Sequence, residues 1–328
     1  MTRSFRLAAL TAVTSMAAGL LCLPGTAYAA DTEATLTAAE MVSALKAVAG
    51  SSTAAASDGW RITESLSSPS ASASGEYAVD PAAGVAYEHD NYGGALRTKY
   101  AVHHRGTYET LSTAAARAAV TMMNRPAVRY VVKPDAALDL DRYVDTRGFR
   151  PSELLTKDVS YAGTRTAHDD GTADYTFSPE TDTTITFVVT AEGVLSGARV
   201  AAGDVTGALA FTYGAQNLTA PAPSATITSV VLARGEAYLS MAATVKKVVG
   251  DGATTIRRAA AGHTVKATSL RKVVRSLAGA ANKRAGSAMV RVEDIGNGAR
   301  VYATNPWTHQ TVAYTVTASG SEVVVQKR

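Results

Sequence analysis

Apolar and polar positions alternate with a period of two along much of the chain, most clearly from Thr183 to Pro223. Ile185, Phe187, Val189 and Ala191 alternate with Thr184, Thr186, Val188 and Thr190. After the turn signal Glu192-Gly193 an extended pattern resumes over Leu195 to Val200. Gly203-Asp204 marks a further turn, and Val205, Leu209, Phe211 and Tyr213 then alternate with Thr206, Ala208, Ala210 and Thr212. Such alternation puts the apolar set on one face of a sheet and the Thr/Ala set on the other. The content of β-branched and aromatic residues fits an antiparallel meander. Leu218 to Pro223 closes it, because proline cannot donate to a ladder.

The pattern upstream predicts the rest of this half. Thr32 to Gly50 reads as an amphipathic helix with Met41, Leu45 and Val48 on one stripe, and Thr37 with Glu40 fits a capping box. Trp60, Ile62 and Leu66 start a strand, and Ser67 to Ser74 is its hairpin tip. Gly75 to Pro81, Val85 to His89, Leu96 to Val102 and Thr107 to Leu111 are further short strands. Ser112 to Asn124 is an Ala-rich helix ended by Arg125-Pro126. Val128, Tyr130 and Val132 return to strand period, Ser152 to Leu155 is a short helix, and Val159 to Tyr161 and Tyr175 to Phe177 flank the turn-like His168 to Gly171.

The pattern changes after the proline-rich stretch. Tyr238, Met241, Val245 and Val248 fall on one helical stripe, and Leu270, Val273, Val274 and Leu277 on another that starts at Thr268 or Ser269. Four strands follow, over Ala288–Glu293, Arg300–Ala303, Thr311–Val316 and Glu322–Val325, with hairpin signals at Asn297-Gly298 and Ser319-Gly320. The fold class expected is α+β: a curved antiparallel half-barrel sheet with packed helices, then a smaller α+β domain of two helices and an antiparallel sheet.

Composition adds a compartment and a boundary. Met1 to Ala29 has the charged start (Arg3, Arg6), apolar run and Ala27-Tyr28-Ala29 cleavage pattern of a secretory signal. The only cysteine, Cys22, lies inside it, preceded by Leu21 where a lipidation box needs a small residue. A secreted, extracytoplasmic mature chain without thiol, disulfide or lipid anchor is expected. Length predicts two domains, at 30–216 and 227–328, joined by a Pro-rich linker at 217–226. Charge divides near the same place: Ala30 to Ser224 carries 15 Lys/Arg against 23 Asp/Glu, and Ala225 to Arg328 carries 15 against 5. A basic half suits docking to the acidic half or an anionic partner.

The strand pattern resembles the LolA-like half-barrel carriers of lipoproteins and lipids, more closely the actinobacterial LppX/LprG-like lipoproteins. The resemblance rests on Gly75 to Pro81 with Tyr87, on Gly106 to Leu111, on Ile185 to Leu195, and on Phe211-Thr212-Tyr213-Gly214 running to Ala220-Pro221. It covers about residues 30–224, and the C-terminal domain carries no recognisable family pattern. The resemblance implies a non-enzymatic carrier of lipid or of lipoprotein acyl chains in the cell envelope. The layout of a large LolA-like domain and a small C-terminal one is similar to RseB-like envelope-stress regulators. It implies the alternative of a two-domain sensor or regulator that binds a membrane-protein partner.

Candidate chemistry narrows this further. The chain has no Gly-x-Ser-x-Gly elbow, phosphate loop or His-Glu-x-x-His motif, and no enzyme activity is expected. His89-Asp90 and His103-His104 are too few for a metal site, because neighbours on a strand face opposite ways. Asp169-Asp170-Gly171 reads as a polar turn, and Asp139, Asp141 and Asp145 as a solvated face or a dock for the basic domain. No metal and no cofactor is expected. The basic positions Lys246, Lys247, Arg271, Lys272 and Arg275 suit an anionic membrane or cell-wall polymer, or a solvated helix face; nucleic acid does not fit an exported chain. Candidate lining residues for an apolar ligand are Trp60, Ile62, Tyr77, Tyr87, Tyr100 and Tyr108, together with Tyr130, Tyr175, Phe177, Phe187, Phe211 and Tyr213. Alternation alone does not separate a lined cavity from a filled core.

Overall fold

The computed structural model describes residues 31–148, 150–156 and 159–328. The expected signal segment, 1–29, lies outside them. The chain opens with strand β1 (Thr32–Leu36) and helix α1 (Ala38–Ala55), followed by β2 (Trp60–Ser68), β3 (Ala71–Asp80), β4 (Val85–Tyr92), β5 (Ala95–Val102) and β6 (Gly106–Thr110). Next come α2 (Ala114–Met122), β7 (Tyr130–Pro134), α3 (Leu140–Arg147) and α4 (Pro151–Thr156). The meander is β8 (Gly163–Ala167), β9 (Ala173–Glu180), β10 (Thr183–Val189), β11 (Leu195–Ala202) and β12 (Val205–Tyr213). The remainder is β13 (Thr226–Thr228), α5 (Ser229–Leu239), α6 (Met241–Ala260), α7 (Ala267–Ala285), β14 (Arg291–Ile295), β15 (Gly298–Thr304), β16 (Thr311–Ser319) and β17 (Glu322–Lys327). The class is α+β, as expected.

Two compact units form. Among the described residues, the first holds 31–109 and then Pro134–Ala220; the second holds Thr110–Lys133 and Pro221–Arg328. The division is therefore not a single cut at the 217–226 linker. Thr110–Lys133 belongs to the second unit because Ala116, Ala119, Val120 and Met123 share a core with Ile227 and Leu232. A Cβ on Gly235 of α5 would lie 2.8 Å from the Met123 methyl, so the absence of a side chain lets α2 and α5 meet. β7 and β13 pair in parallel beside them.

In the first unit the strands run in the order β1-β8-β9-β10-β11-β12-β2-β3-β4-β5-β6. Every neighbouring pair is antiparallel. The register shifts between Val188 and Val189 and between Thr183 and Ile185, and such bulges bend and twist a sheet. α1 covers one face with Met41, Leu45 and Val48. Its capping box forms as expected, with Thr37 and Glu40 exchanging hydrogen bonds. The turn before it does not extend the helix: Thr32–Leu36 pairs with β8 as an edge strand, where its β-branched residues fit. Buried Ser52 donates back to Val48 O and accepts from the Leu195 amide at 3.0 Å, tying α1 to β11. Asp80, also buried, accepts from the amides of Ala83 and Leu218, which anchors the segment after β12.

The second unit packs α6 and α7 on a four-stranded antiparallel sheet, β14-β15-β16-β17. Val245, Val249 and Ala253 of α6 and Leu270, Val274 and Ala278 of α7 form the core with Val301 and Val316. α7 starts at Ala267 with Lys266 as its N-cap, slightly ahead of the expected Thr268 or Ser269.

Candidate ligand-binding face of the first unit

Strand register decides which candidate residues share a face. Ile62 of β2 lies opposite Tyr77 of β3 and Phe211 of β12, and Trp60 lies opposite Val79 and Tyr213. Phe187 of β10 lies opposite Tyr175 of β9 and Ala198 of β11, and Ile185 opposite Phe177. These residues share one core cluster with α1 and with Leu155 of α4. Phe177 sits 5.8 Å from Phe187, and Tyr161 stacks on it. Tyr213 is half-buried and donates to Leu195 O at 2.7 Å. Trp60, Ile62, Tyr77, Tyr175, Phe177, Phe187 and Phe211 are buried by protein.

The remaining candidates are not brought to this face. Tyr87 pairs with Ala78, the neighbour of Tyr77, and Tyr100 and Tyr108 continue that row across the opposite face. Tyr87 and Tyr100 pack 5.2 Å apart there. Tyr130 belongs to the second unit.

Along β2 the inner face opens. Trp60 is 3% and Ile62 4% exposed, whereas Leu66, about 20 Å beyond Trp60 at the strand rise, is 42% exposed. Leu66 lies opposite Ala73 and Gly207. Half-buried Ile185, Val200 and Leu209 occupy the same parity of β10, β11 and β12. The apolar face thus continues from the closed core to a partly open end.

The same face carries charge that the aromatic pattern obscured. Glu64, Glu88, Asp90, Arg97 and Lys99 are at inward parity on β2, β4 and β5. Glu88 pairs with Arg147 of α3, and Lys99 lies 5.2 Å over the Tyr143 ring. Burial pushes the Tyr143 hydroxyl up to about 12 and the Lys99 ammonium below its ordinary range. Burial, then the nearby Asp90 and Glu88, push the Glu64 carboxyl up. A carboxyl raised in the folded state costs stability as pH rises through the window from its unfolded to its folded value. Glu64→Gln is therefore expected to raise the melting temperature at pH 7 and to leave it unchanged at a pH below that window. Paired melting curves check the sign. The signal was present in the sequence, since Glu64 shares parity with Trp60 and Ile62.

Other polar candidates are engaged locally. His89 Nδ1 meets the Thr98 hydroxyl at 2.9 Å, His104 donates to Ala136 O, and His103 Nδ1 accepts from the Leu140 amide. Asp170 accepts from the Thr172 amide and hydroxyl. Asp139 caps α3, while Asp141 and Asp145 hold Arg150. Among the described residues no group of His, Cys, Asp and Glu converges as metal ligands do.

In the second unit the basic candidates separate into two kinds. Arg271 donates to Gly298 O at 2.9 Å, to Ile295 O at 3.0 Å and to Gly296 O. Arg275 pairs with Asp294 at 2.6 Å and Lys247 with Asp251 at 3.0 Å. Lys246 and Lys272 are exposed and form no ion pair among the described residues. A cleft of about 330 Å³ lies between α6 and α7, with Arg284 at its edge, a residue the sequence reading did not single out.

The crystal structure of the Mycobacterium tuberculosis lipoprotein LppX is similar at a TM-score of 0.29 and 11% identity, over 55% of this chain and 99% of that one. No protein-family model matches the sequence, and no curated protein matches it.

Proposed function

We propose that the protein is an extracytoplasmic, non-enzymatic binder or carrier of an apolar ligand, a lipid or a lipoprotein acyl chain, held on the inner face of the first unit. The observation that carries this reading is the apolar inner face that passes from a closed core through half-buried Ile185 and Leu209 to Val200 and exposed Leu66, interrupted on β2 by Glu64. An acyl chain laid along that end exchanges water for protein and gains about 0.8 kcal/mol per buried CH₂. On this reading the neighbouring charged residues Glu64, Glu88, Asp90, Arg97 and Lys99 meet the ligand's polar head. In the second unit Lys246 and Lys272 remain free for an anionic membrane surface, which gains from each nearby cation.

The regulator reading, in which the basic unit binds an envelope-protein partner, draws on the same free lysines. The two are separated by native mass spectrometry of the mature protein, with solvent extraction and lipid analysis in parallel. A co-purifying mass of lipid size is expected. Leu66→Asp places a carboxylate at an exposed strand position, so folding is retained and the bound lipid is expected to fall about tenfold or more. Unchanged lipid in the folded variant removes this face from the reading. A ligand-free mass after exposure to envelope lipids overturns the carrier and leaves the regulator.

A further inference from the structure

The cleft between α6 and α7 is a built feature with no part in the reading above. Its floor is apolar: Val248, Ala281 and Met289 are buried, and Leu277 is half-buried beside them. Its polar lining residues are Ser240, Thr244, Lys247, Asp251 and Arg284. The volume, about 330 Å³, is at the small end of what small-molecule sites use.

The charges at the rim do not cancel. Lys247 spends its ammonium on Asp251 at 3.0 Å, one turn along the same helix. Arg284 is exposed and forms no hydrogen bond or ion pair with a described residue. One guanidinium is left over, beside an apolar floor. A cation in the last turn of α7 complements the helix dipole, but Lys283 supplies that as well, and the dipole does not account for an apolar cleft beneath it. A guanidinium presents a planar fork of N–H donors that matches a carboxylate with two parallel hydrogen bonds. An apolar floor rewards a hydrocarbon body attached to that head.

We propose that this cleft binds a small amphiphilic monoanion, a carboxylate on a short aliphatic chain. The head meets Arg284, and the chain lies on Val248, Leu277 and Met289. A single uncompensated positive charge favours a monoanion over a dianion. The site is independent of the first unit and of whatever binds there.

Octanoate, used below its micelle concentration, is the probe, titrated calorimetrically into the full mature chain. Acetate supplies the head without the chain, and octyltrimethylammonium the chain with the opposite charge. Octanoate is expected to bind at least about tenfold more tightly than either control. Arg284→Ala, at an exposed position, is expected to weaken octanoate about tenfold or more with the far-UV spectrum unchanged. Ala285→Leu fills the cleft from its edge and is expected to weaken it as well. Equal binding of the cationic control, undiminished binding by Arg284→Ala, or no octanoate binding overturns the proposal. Leu66→Asp in the first unit is expected to leave the Arg284-dependent part of the titration unchanged. If that variant abolishes the heat, octanoate resides on the first unit and the cleft is not its site.

Discussion

Phe187→Asp is expected to unfold the first unit. Phe187 is 5% exposed, faces Tyr175 and Ala198 across its two neighbouring strands, and packs 5.8 Å from Phe177. Removing a buried Phe side chain costs about 3–5 kcal/mol. A carboxylate in its place adds the cost of burying a charge among Tyr175, Phe177 and Ala198. The sum reaches or exceeds the lower part of the range of whole-domain stabilities, about 5–15 kcal/mol. Guanidinium unfolding of the mature protein is expected to show the first unit's transition lost or shifted to very low denaturant. Phe187→Leu, which keeps the residue apolar and nearly its volume, is expected to cost only about 1 kcal/mol. A well-folded Phe187→Asp would mean that the ring faces a solvated cavity. For the same reason, loss of ligand in Phe187→Asp does not locate a binding site, whereas Leu66→Asp does.

Arg271→Ala is expected to be the most destabilising of the basic-residue changes in the second unit. The side chain reaches from α7 to the carbonyls of Ile295, Gly296 and Gly298, which form the turn between β14 and β15, and it is 22% exposed. Hydrogen bonds from a charged donor contribute about 1.5–3 kcal/mol each in favourable settings, and partial exposure discounts them. A loss of about 2–3 kcal/mol is expected for the group as a whole. Arg271→Lys is not expected to restore it, because one ammonium does not span the turn as the guanidinium fork does. Arg275→Ala and Lys247→Ala lose exposed ion pairs and are each expected to cost less than about 1 kcal/mol. Urea midpoints of the four variants order these effects. If Arg271→Ala and Arg275→Ala match, the turn contacts carry no special weight. Charge reversal at Arg271 is therefore a poor probe of partner binding; Lys246 and Lys272 are better positions.

Much of this architecture is readable from residue periodicity. The meander from β9 to β12, the α1 capping box, the helix stripes at Val245 and Leu270 and the final four strands all depend on local pattern, and the structure places them close to where that pattern does. What is not readable depends on partners distant in sequence. Tyr87 alternates as regularly as Tyr77, but the turn between β3 and β4 sets Tyr87 opposite Ala78, and one step of register changes the face. Arg271 resembles any solvated helix cation until the hairpin beyond Arg291 folds beneath it. The helix at Ala114–Met122 shows an apolar stripe, yet nothing local says that its partner is Leu232. For the candidate site, the inner aromatic row is legible, while its division into closed core and open end depends on where the helices lie across it.

The chain passes between its two units at 109/110, at 133/134 and at 220/221. A protease that cuts the segment after Ala220 therefore does not release a free C-terminal domain. The upstream fragment still contributes α2, Met123 and β7 to the core that holds Ile227 and Leu232, so the nicked protein is expected to stay together as a two-chain complex and to separate only under denaturing conditions. The same interleaving orders events during synthesis: α2 leaves the ribosome well before α5, and its apolar stripe lacks Ile227 and Leu232 until the chain beyond residue 226 has followed.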